Sequence, residues 1–378
     1  MKKILILISF ILLTACNASQ IAINNDLIPN LAITGEINYE NEATITMVGD
    51  VLIHDRLLEY ANKQDGSYDF TDFFKNVQSE IQASDLALVN QESLVAGKEF
   101  GLSGYPMFNG PYELAEADFK AGFDVICQAN NHALDRSTSG LKKNIANFEG
   151  LGLDVVGIYD QESDNRILVK EVNNIDIAIL NYTYGSNGLV AEHDYLLNYI
   201  DEDLIKNDVL EAKKQADFVI VVLHWGDEYS LTPNSYQKNL AKYLNELEVD
   251  LVLGSHPHVI QEVELIDNGN YQTLVYYSLG NFINATDGRG KVAKRMLGGL
   301  ASITIKKDII STKIIDYDFK GLVSHLDLDG LTTTYYLKDY SQDLALENDI
   351  RRQDSSFSLE YLNDLFNKVY SKKDVIKQ

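Results

Sequence analysis

Hydrophobic and polar positions alternate from residue 43 onward in a pattern typical of an α/β protein. Short β-branched runs, each of the length of a buried strand, alternate with amphipathic stretches of helical period. Such a βαβα order favours a sheet whose strands are covered on both faces. The predicted strands lie at 43–53, 85–90, 124–129, 155–158, 218–223 and 250–254. The predicted helices lie at 70–83, 139–149 and 233–247, and another opens at Pro111.

The second half of the chain adds antiparallel pairing. Residues 167–172 and 175–182, joined at Asn173-Asn174, predict a hairpin. Three further apolar runs have no helix between them, and a final amphipathic helix is predicted at 359–370. The two halves together predict an α/β fold of two stacked mixed β-sheets flanked by helices. The three further runs lie at 272–283, 300–305 and 309–319.

The N-terminal segment has the features of a bacterial lipoprotein signal. Lys2 and Lys3 precede an apolar run at 4–13, which is shorter than a comfortable membrane-spanning helix. The run ends in Leu-Thr-Ala-Cys, which resembles a lipobox and makes Cys16 the expected lipidation site. A plain secretory signal or an uncleaved anchor are the alternatives. We therefore expect a lipid-anchored protein that faces the outside of the cell membrane.

This interpretation divides the chain into four parts. They are a signal peptide at 1–15, a lipidated tether at 16–42, a main domain at 43–320, and a C-terminal extension at 321–378 that packs on or near the domain. No chemistry is assigned to the extension.

Composition narrows the classes of partner and chemistry. The chain has 32 basic and 56 acidic residues, a net charge of -24, which repels phosphate backbones. We therefore expect no nucleic acid as a partner. Its two cysteines are Cys16 and Cys127, so a lipidated chain has one thiol and no intramolecular disulfide. Cys127 lies in an apolar run and is expected to be a buried strand residue.

Five of the seven histidines follow a predicted strand within a few residues. Ligands of open α/β sheets bind beyond the carboxyl ends of the strands, so these side chains should converge on one edge. The other two, His193 and His325, fall in predicted loops and are expected to be solvated. The five are His54, His132, His224, His256 and His258.

Acidic and amide side chains are predicted at the same edge, namely Asp50, Glu92, Asn130 and Asn131. Each residue taken alone is compatible with an ordinary turn, cap or hydrogen bond. Together with the histidines they form the mixture of oxygen and nitrogen donors that divalent metals bind. A carboxylate that bridges two ions also offsets their mutual repulsion. The ordered set therefore favours a clustered metal site.

Six blocks of the sequence, in this order, resemble the CapA/PgsA family. That family is associated with bacterial poly-γ-glutamate capsule synthesis and belongs to the calcineurin-like metallophosphoesterase superfamily. The resemblance spans about residues 43–320 and implies a four-layer αββα fold. The blocks are GDVLIH (49–54), NQES (90–93), NNHALD (130–135), LHWGDEY (223–229), GSHPHVIQ (254–261) and YSLGNF (277–282).

The resemblance implies a site for two divalent ions, with Mn, Zn or Fe as candidates. The first ion would take Asp50, His54, Glu92 and His258. The second would share Glu92 and add Asn131, His224 and His256. The chain departs from the superfamily in two places. Three residues separate Asp50 from His54 where one is usual, and Glu92 replaces an aspartate. These departures leave open whether His54 contacts the first ion.

The resemblance also implies residues that act beside the ions. His132 would donate a hydrogen bond or a proton to the reacting group. Asp135 would either orient that imidazole or serve as a carboxylate at a helix N-terminus. Four pocket candidates could instead hold turns, namely Asn109, Asn130, Ser278 and Asn281.

Three functions remain open from the sequence. The first is a surface lipoprotein acting as a di-metal hydrolase or transferase on an anionic capsule polymer or its precursor. For this function the family implies membrane capsule-synthase subunits as partners. The second is a non-catalytic accessory factor that guides polymer export or attachment. The third is an extracellular phosphodiesterase or nucleotidase.

Overall fold

The computed structural model describes residues 41–286 and 291–370. These residues form fourteen strands and nine α-helices. The strands are β1 (Asn41–Val51), β2 (Leu86–Asn90), β3 (Val125–Cys127), β4 (Asp154–Val156), β5 (Leu168–Val172), β6 (Ile175–Thr183), β7 (Phe218–His224), β8 (Leu251–Ser255), β9 (Val263–Asp267), β10 (Gln272–Tyr276), β11 (Asn281–Ile283), β12 (Leu297–Lys307), β13 (Thr312–Leu326) and β14 (Thr332–Tyr336). The helices are α1 (Asp55–Ala61), α2 (Thr71–Phe74), α3 (Gln78–Ala83), α4 (Tyr112–Ala121), α5 (Ser137–Glu149), α6 (Glu202–Gln215), α7 (Ser235–Glu246), α8 (Gln342–Glu347) and α9 (Leu359–Val369).

The strands form two mixed sheets. The first has the order β14-β13-β12-β1-β2-β3-β4, and β11 also pairs with β1. Strands β1 to β4 are parallel, while β12, β13 and β14 add antiparallel pairs. The second sheet has the order β5-β6-β7-β8-β10-β9, with a parallel centre and an antiparallel pair at each edge.

Alternation along a single strand shows how the sheets stack. In β6, Ile177 and Ile179 enter the core shared with the first sheet, whereas Ala178 and Leu180 pack with α6 and α7. Successive strand residues point to opposite faces, so both faces of β6 are covered. This near-continuous apolar sequence is what a doubly buried strand requires. The expected fold of two stacked mixed sheets flanked by helices is confirmed.

Several local predictions are confirmed as well. Residues Asn173 and Asn174 join β5 and β6 with φ of 51° and 62°, the left-handed conformation that a two-residue hairpin turn needs. Pro111 precedes the first turn of α4. Cys127 ends β3 as a buried free thiol, and burial raises its pKa.

Other predictions are wrong in detail. The helix expected at 70–83 is two short helices, α2 and α3. The strand expected at 272–283 is divided, because the chain leaves the second sheet after Tyr276 and enters the first at Asn281. His325 is not solvated: it lies in β13, buried, with Nδ1 2.7 Å from the hydroxyl of Tyr340. His193 is exposed in a loop, as expected.

Two strands cross the boundaries drawn on the sequence for the main domain. Strand β1 begins at Asn41, and β13 continues through residue 320 to Leu326. Strand β14 then pairs with β13 at the edge of the first sheet. The signal peptide at 1–15, the lipidation site Cys16 and residues 16–40 of the tether lie outside the described residues. Within the described ranges, no helix combines the length and hydrophobicity that crossing a bilayer would require.

Candidate metal centre

The carboxyl ends of strands from both sheets deliver the predicted ligands to one place. Asp50 lies at the end of β1, and Glu92 follows β2 by two residues. His224 ends β7, and His256 and His258 follow β8. All five side chains are buried. The parallel direction of β1, β2, β7 and β8 is therefore what brings these side chains to one edge.

These residues form two overlapping clusters, each of which could hold a metal ion. The first cluster is Asp50, Glu92 and His258, and the second cluster is Glu92, His224 and His256. Within each cluster the potential ligand atoms lie within 4.8 Å of one another. Glu92 belongs to both, which is the position that a bridging carboxylate requires.

The first cluster is connected by an ion pair. Nδ1 of His258 lies 2.9 Å from Oδ2 of Asp50, and Nε2 of His258 lies 3.8 Å from Oε1 of Glu92. The amide of Asn90 donates to Oδ1 of Asp50 at 2.8 Å. Both oxygens of Asp50 are thus positioned by neighbours, one at the end of β2 and one in the loop after β8.

In the second cluster, His224 is positioned by two residues that do not belong to the cluster. Nε2 of His224 lies 3.5 Å from Oε1 of Glu92 and 2.7 Å from Oδ1 of Asn131. The other ring nitrogen, Nδ1, lies 2.9 Å from the hydroxyl of Ser255. The structure therefore brings Asn131, which the sequence assigned to the second ion, to this cluster. The contact with Ser255 fixes which nitrogen of His224 faces Glu92.

Two features indicate that these clusters fit divalent ions. Both carboxylate oxygens of Glu92 are buried without a hydrogen-bond partner in the described part of the protein, and so is Nδ1 of His256. A buried carboxylate without donors is costly unless a cation compensates it. Its surroundings supply nitrogen and oxygen donors of the kind that borderline divalent metals bind. The residues therefore fit a metal pair.

The backbone of the SHPH segment is strained at both histidines. His256 has φ of 96° and His258 has φ of 56°, a region that residues other than glycine rarely adopt. Each such residue costs of order 1–3 kcal/mol, and such strain concentrates at functional sites. The strained turn places two histidines two residues apart at the two clusters.

Burial and neighbouring charges shift the pKa values of the cluster residues. Burial raises the pKa of Glu92 to about 8 and lowers that of His224 to about 3. Burial acts to lower the pKa of His258, but the charge of Glu92 and the hydrogen bond to Asp50 outweigh it and raise the pKa to about 9. Burial acts to raise the pKa of Asp50, but the contact with His258 outweighs it and the pKa is lowered.

His132 and Asp135 form a separate pair beside the clusters. Nδ1 of His132 lies 2.7 Å from Oδ2 of Asp135, and the same oxygen accepts the backbone N–H of Phe108 at 2.6 Å. Helix α5 has no side-chain cap at its N-terminus. Of the two roles left open for Asp135, the geometry thus favours orienting the imidazole. Nε2 of His132 faces the amide of Asn187 at 3.5 Å.

Among the described residues, neither cluster of possible metal ligands includes His54. Its ring packs edge-on against Phe108, with ring centroids 5.4 Å apart. Phe108 in turn packs edge-on against His132 at 4.7 Å. Burial lowers the pKa of His54 to about 4. His54 is therefore held near the His132 side of the site.

The four pocket candidates make mainly backbone contacts. Asn109 accepts from the N–H of Ala96 and donates to two carbonyls of the 97–101 loop. Asn130 closes a turn onto the N–H of His132. Ser278 donates to the carbonyl of Val259 at 2.8 Å. Asn281 donates to the carbonyl of His258 at 3.3 Å and so supports the strained turn.

Sequence reasoning missed the residues that surround the clusters from loops. The ring of Tyr184 lies 4.4 Å from His256, and the ring of Tyr229 lies 5.9 Å from His258. The guanidinium of Arg295 stacks 3.6 Å above Tyr229, a cation–π contact. Asn187 accepts from the amide of Asn131 at 3.2 Å. Tyr184 directly follows β6, so the strand-end rule was the signal that could have found it. Tyr229 is the last residue of the LHWGDEY block, which was the available signal for it. Asn187 lies further along the loop after β6 and Arg295 in a short 3-10 helix, where neither signal applies.

The six sequence blocks that carry these residues lie within a match to a known protein family. Residues 44–286, more than half of the chain, match the family of the bacterial capsule synthesis protein PGA_cap. The chain belongs to the PGA_cap family. The resemblance to capsule synthesis proteins of the CapA/PgsA type is thereby confirmed.

Two curated relatives of this PGA_cap family member come from bacilli. The chain is 32% identical over 250 residues to the PGA biosynthesis protein CapA of Bacillus subtilis, which covers 63% of this chain and 62% of the relative. It is 30% identical over 262 residues to the capsule biosynthesis protein CapA of Bacillus anthracis, covering 65% and 60%. The match thus spans less than two thirds of each relative.

Solved structures similar to this PGA_cap protein include two phosphoesterase-type proteins. The calcineurin-like phosphoesterase YfkN of Bacillus subtilis aligns at 13% identity with a TM-score of 0.44, covering 86% of this chain and 99% of that one. The 5′-nucleotidase of Candida albicans aligns at 11% identity with a TM-score of 0.40, covering 86% and 57%. At TM-scores below 0.5 these likenesses do not establish an activity.

Proposed function

We propose that this protein takes part in capsule synthesis as a metal-dependent hydrolase or transferase. Its substrate would be poly-γ-glutamate, a similar anionic polymer, or a precursor of one. Membership of the PGA_cap family and the names of the two bacillar relatives support the link to capsule. The observation that carries metal dependence is Glu92, a buried carboxylate that belongs to both clusters and has no hydrogen-bond donor among the described residues.

Glu92 would bridge two divalent ions, with Mn, Zn or Fe as candidates. Asp50 and His258 would complete one site, and Asn131, His224 and His256 the other. Bound ions would polarise a carbonyl or phosphoryl oxygen and make water a stronger nucleophile. The strained turn at residues 256–258 and the strand ends hold these donors in place before anything binds, which is what precise orientation of a substrate requires.

His132 would supply the proton that a leaving group needs. Asp135 accepts from Nδ1 of His132, so the opposite nitrogen, Nε2, is the one that faces the site. A positioned imidazole of this kind contributes typically 10²–10⁴-fold to a rate. The edge-on contact with Phe108 holds the ring against rotation.

The protein would act at the cell surface. Cys16 would carry the lipid anchor, and membrane capsule-synthase subunits would be its partners. A chain of net charge -24 repels an anionic polymer, so divalent ions at the clusters would also supply the positive charge that brings the polymer to the site.

The test begins with elemental analysis of the purified full chain. We expect about two Mn, Zn or Fe ions per chain in the wild type, and loss of most of them in the His256→Ala/His258→Ala variant. His325→Gln is the matched control, because His325 is buried but belongs to neither cluster. A wild-type chain that takes up no metal from Mn or Zn solutions would overturn the proposal.

Activity is tested on γ-glutamyl amides and phosphodiesters with the metal-loaded chain, and capsule is measured in cells that carry the same variants. Turnover that disappears together with the metal supports the enzyme. Full capsule in cells with the metal-free variant would instead point to an accessory role.

A further inference from the structure

The edge of the sheets opposite the metal centre carries an exposed aliphatic tip. The hairpin between β12 and β13 turns at residues 308–311, and its Ile309 and Ile310 are 78% and 87% exposed. Ile315 on the following strand is also exposed. Adjacent isoleucines left in water are unfavourable, so this tip has the chemistry of a contact surface.

The turn presents both isoleucines to solvent in a fixed conformation. Oδ1 of Asp308 accepts the N–H of Ile310 at 2.7 Å and that of Ser311 at 2.9 Å. The N–H of Asp308 donates to the carbonyl of Ser311 at 3.0 Å. These hydrogen bonds fix the backbone of the turn, and the fixed backbone keeps both isoleucine side chains in solvent.

The tip lies at the edge where the described chain begins. Asn41 pairs with Lys307, the last residue before the tip. Asn173 donates to the carbonyl of Glu42 at 2.9 Å, and Lys307 donates to the carbonyl of Asn174 at 3.0 Å, so the β5–β6 turn shares this edge. The described part of the chain therefore begins beside the isoleucines.

The anchor alone does not decide which face meets the membrane. Cys16 precedes Asn41 by 25 residues, and covalent geometry lets such a length reach up to roughly 80–90 Å. A second contact is needed to fix the orientation of the body. The aliphatic tip is the feature of this edge that a bilayer could accept.

We infer that Ile309 and Ile310 insert into the outer surface of the bilayer that holds the lipid anchor, as a second membrane contact. The inference rests on the proposed anchoring through Cys16. Strand β1 runs from this edge to Asp50 at the clusters, a rise of roughly 30 Å for its length. The metal centre then faces away from the membrane, toward polymer outside the cell.

The test uses the full lipidated chain in vesicles of phosphatidylcholine and phosphatidylglycerol. An environment-sensitive bimane label is placed at Ile310→Cys, since Cys127 is buried and Cys16 is acylated in this form. The control is the same label at Val190→Cys. Val190 is 90% exposed in the loop that carries Asn187 at the metal centre.

We expect lipids with a shallow spin label to quench the label at position 310 several-fold more strongly than the label at 190. Equal quenching in chains that float with the vesicles would overturn the tip contact and leave the anchor intact. A chain that does not float would overturn both. A blue shift at position 310 already present without vesicles would show contact with protein and would overturn the membrane contact.

Discussion

The two metal clusters share Glu92 but differ in how their other members are held. In the first cluster, Asp50 and His258 bind each other at 2.9 Å, so opposite charges position the donors. In the second cluster, His224 is held by Ser255, and Nδ1 of His256 has no hydrogen-bond partner in the part of the chain that the structure describes. Losing a residue of the first cluster should therefore affect stability as well as metal binding, whereas losing one of the second should affect mainly metal binding.

Glu92→Gln should break both clusters at once and gives the largest expected effect. The amide keeps the shape of the side chain but removes the charge that both ions would share. We expect the metal content to fall from about two ions per chain to nearly none, and turnover to fall about 10³-fold. Elemental analysis and turnover of the same preparation measure the two effects.

The matched control for Glu92→Gln is Glu99→Gln. Glu99 is exposed, lies in a short 3-10 helix seven residues after Glu92, and belongs to neither cluster. Near-UV circular dichroism in chelator checks that both variants are folded. Two ions retained by Glu92→Gln would show that Glu92 does not bridge them.

The comparison of His258→Ala with His256→Ala separates the clusters. Removing His258 leaves Asp50 buried without its charged partner, a loss that costs about 3–5 kcal/mol of unfolding free energy in comparable pairs. Nδ1 of His256 has no hydrogen-bond partner among the described residues, so removing this side chain should cost about 1 kcal/mol, the ordinary effect of a substitution. Urea unfolding in chelator measures the difference, and equal costs would contradict the distinction drawn between the clusters.

The clusters were predictable because their members lie at the ends of strands or within three residues after them. Glu92 and His224 come at the ends of apolar runs, so the rule for parallel sheets placed them at one edge without any knowledge of the sheet order. The stacking of two sheets followed from strands that are apolar on both faces, as in β6.

The rest could not be predicted for three physical reasons. Asn187 and Arg295 reach the site from a loop and a short 3-10 helix, whose course no periodicity encodes. Tyr184, by contrast, directly follows β6, and the strand-end rule was not applied to it. Apolar residues continue from β10 to β11, so the break between Tyr276 and Asn281, where the chain changes sheets, is invisible in the pattern. His325 was misplaced because β13 extends seven residues beyond the predicted strand end at 319.

Asp135→Asn should separate proton transfer from metal binding. Asp135 touches His132 and the backbone of Phe108 but belongs to neither cluster, so the metal content should be unchanged. An uncharged amide is a weaker partner for Nδ1–H of His132 and no longer supports a second proton on Nε2, the one that would be donated, so we expect kcat to fall about 10²-fold. Kinetics at saturating metal measure this effect, and a parallel loss of metal would place the pair within the metal site instead.

Ser255→Ala should have the smallest effect on metal binding. It is also the most direct test of whether the first and second clusters are held differently. Its hydroxyl contacts Nδ1 of His224, on the side of the ring away from Glu92. Loss of such an outer contact typically weakens metal binding about 10–100-fold, and here the loss should fall on the second cluster alone. Competition with a chelator would then release one ion early and the other at the wild-type concentration. Early release of both ions would mean that the bridging carboxylate couples the clusters too tightly for them to be distinguished by what holds them.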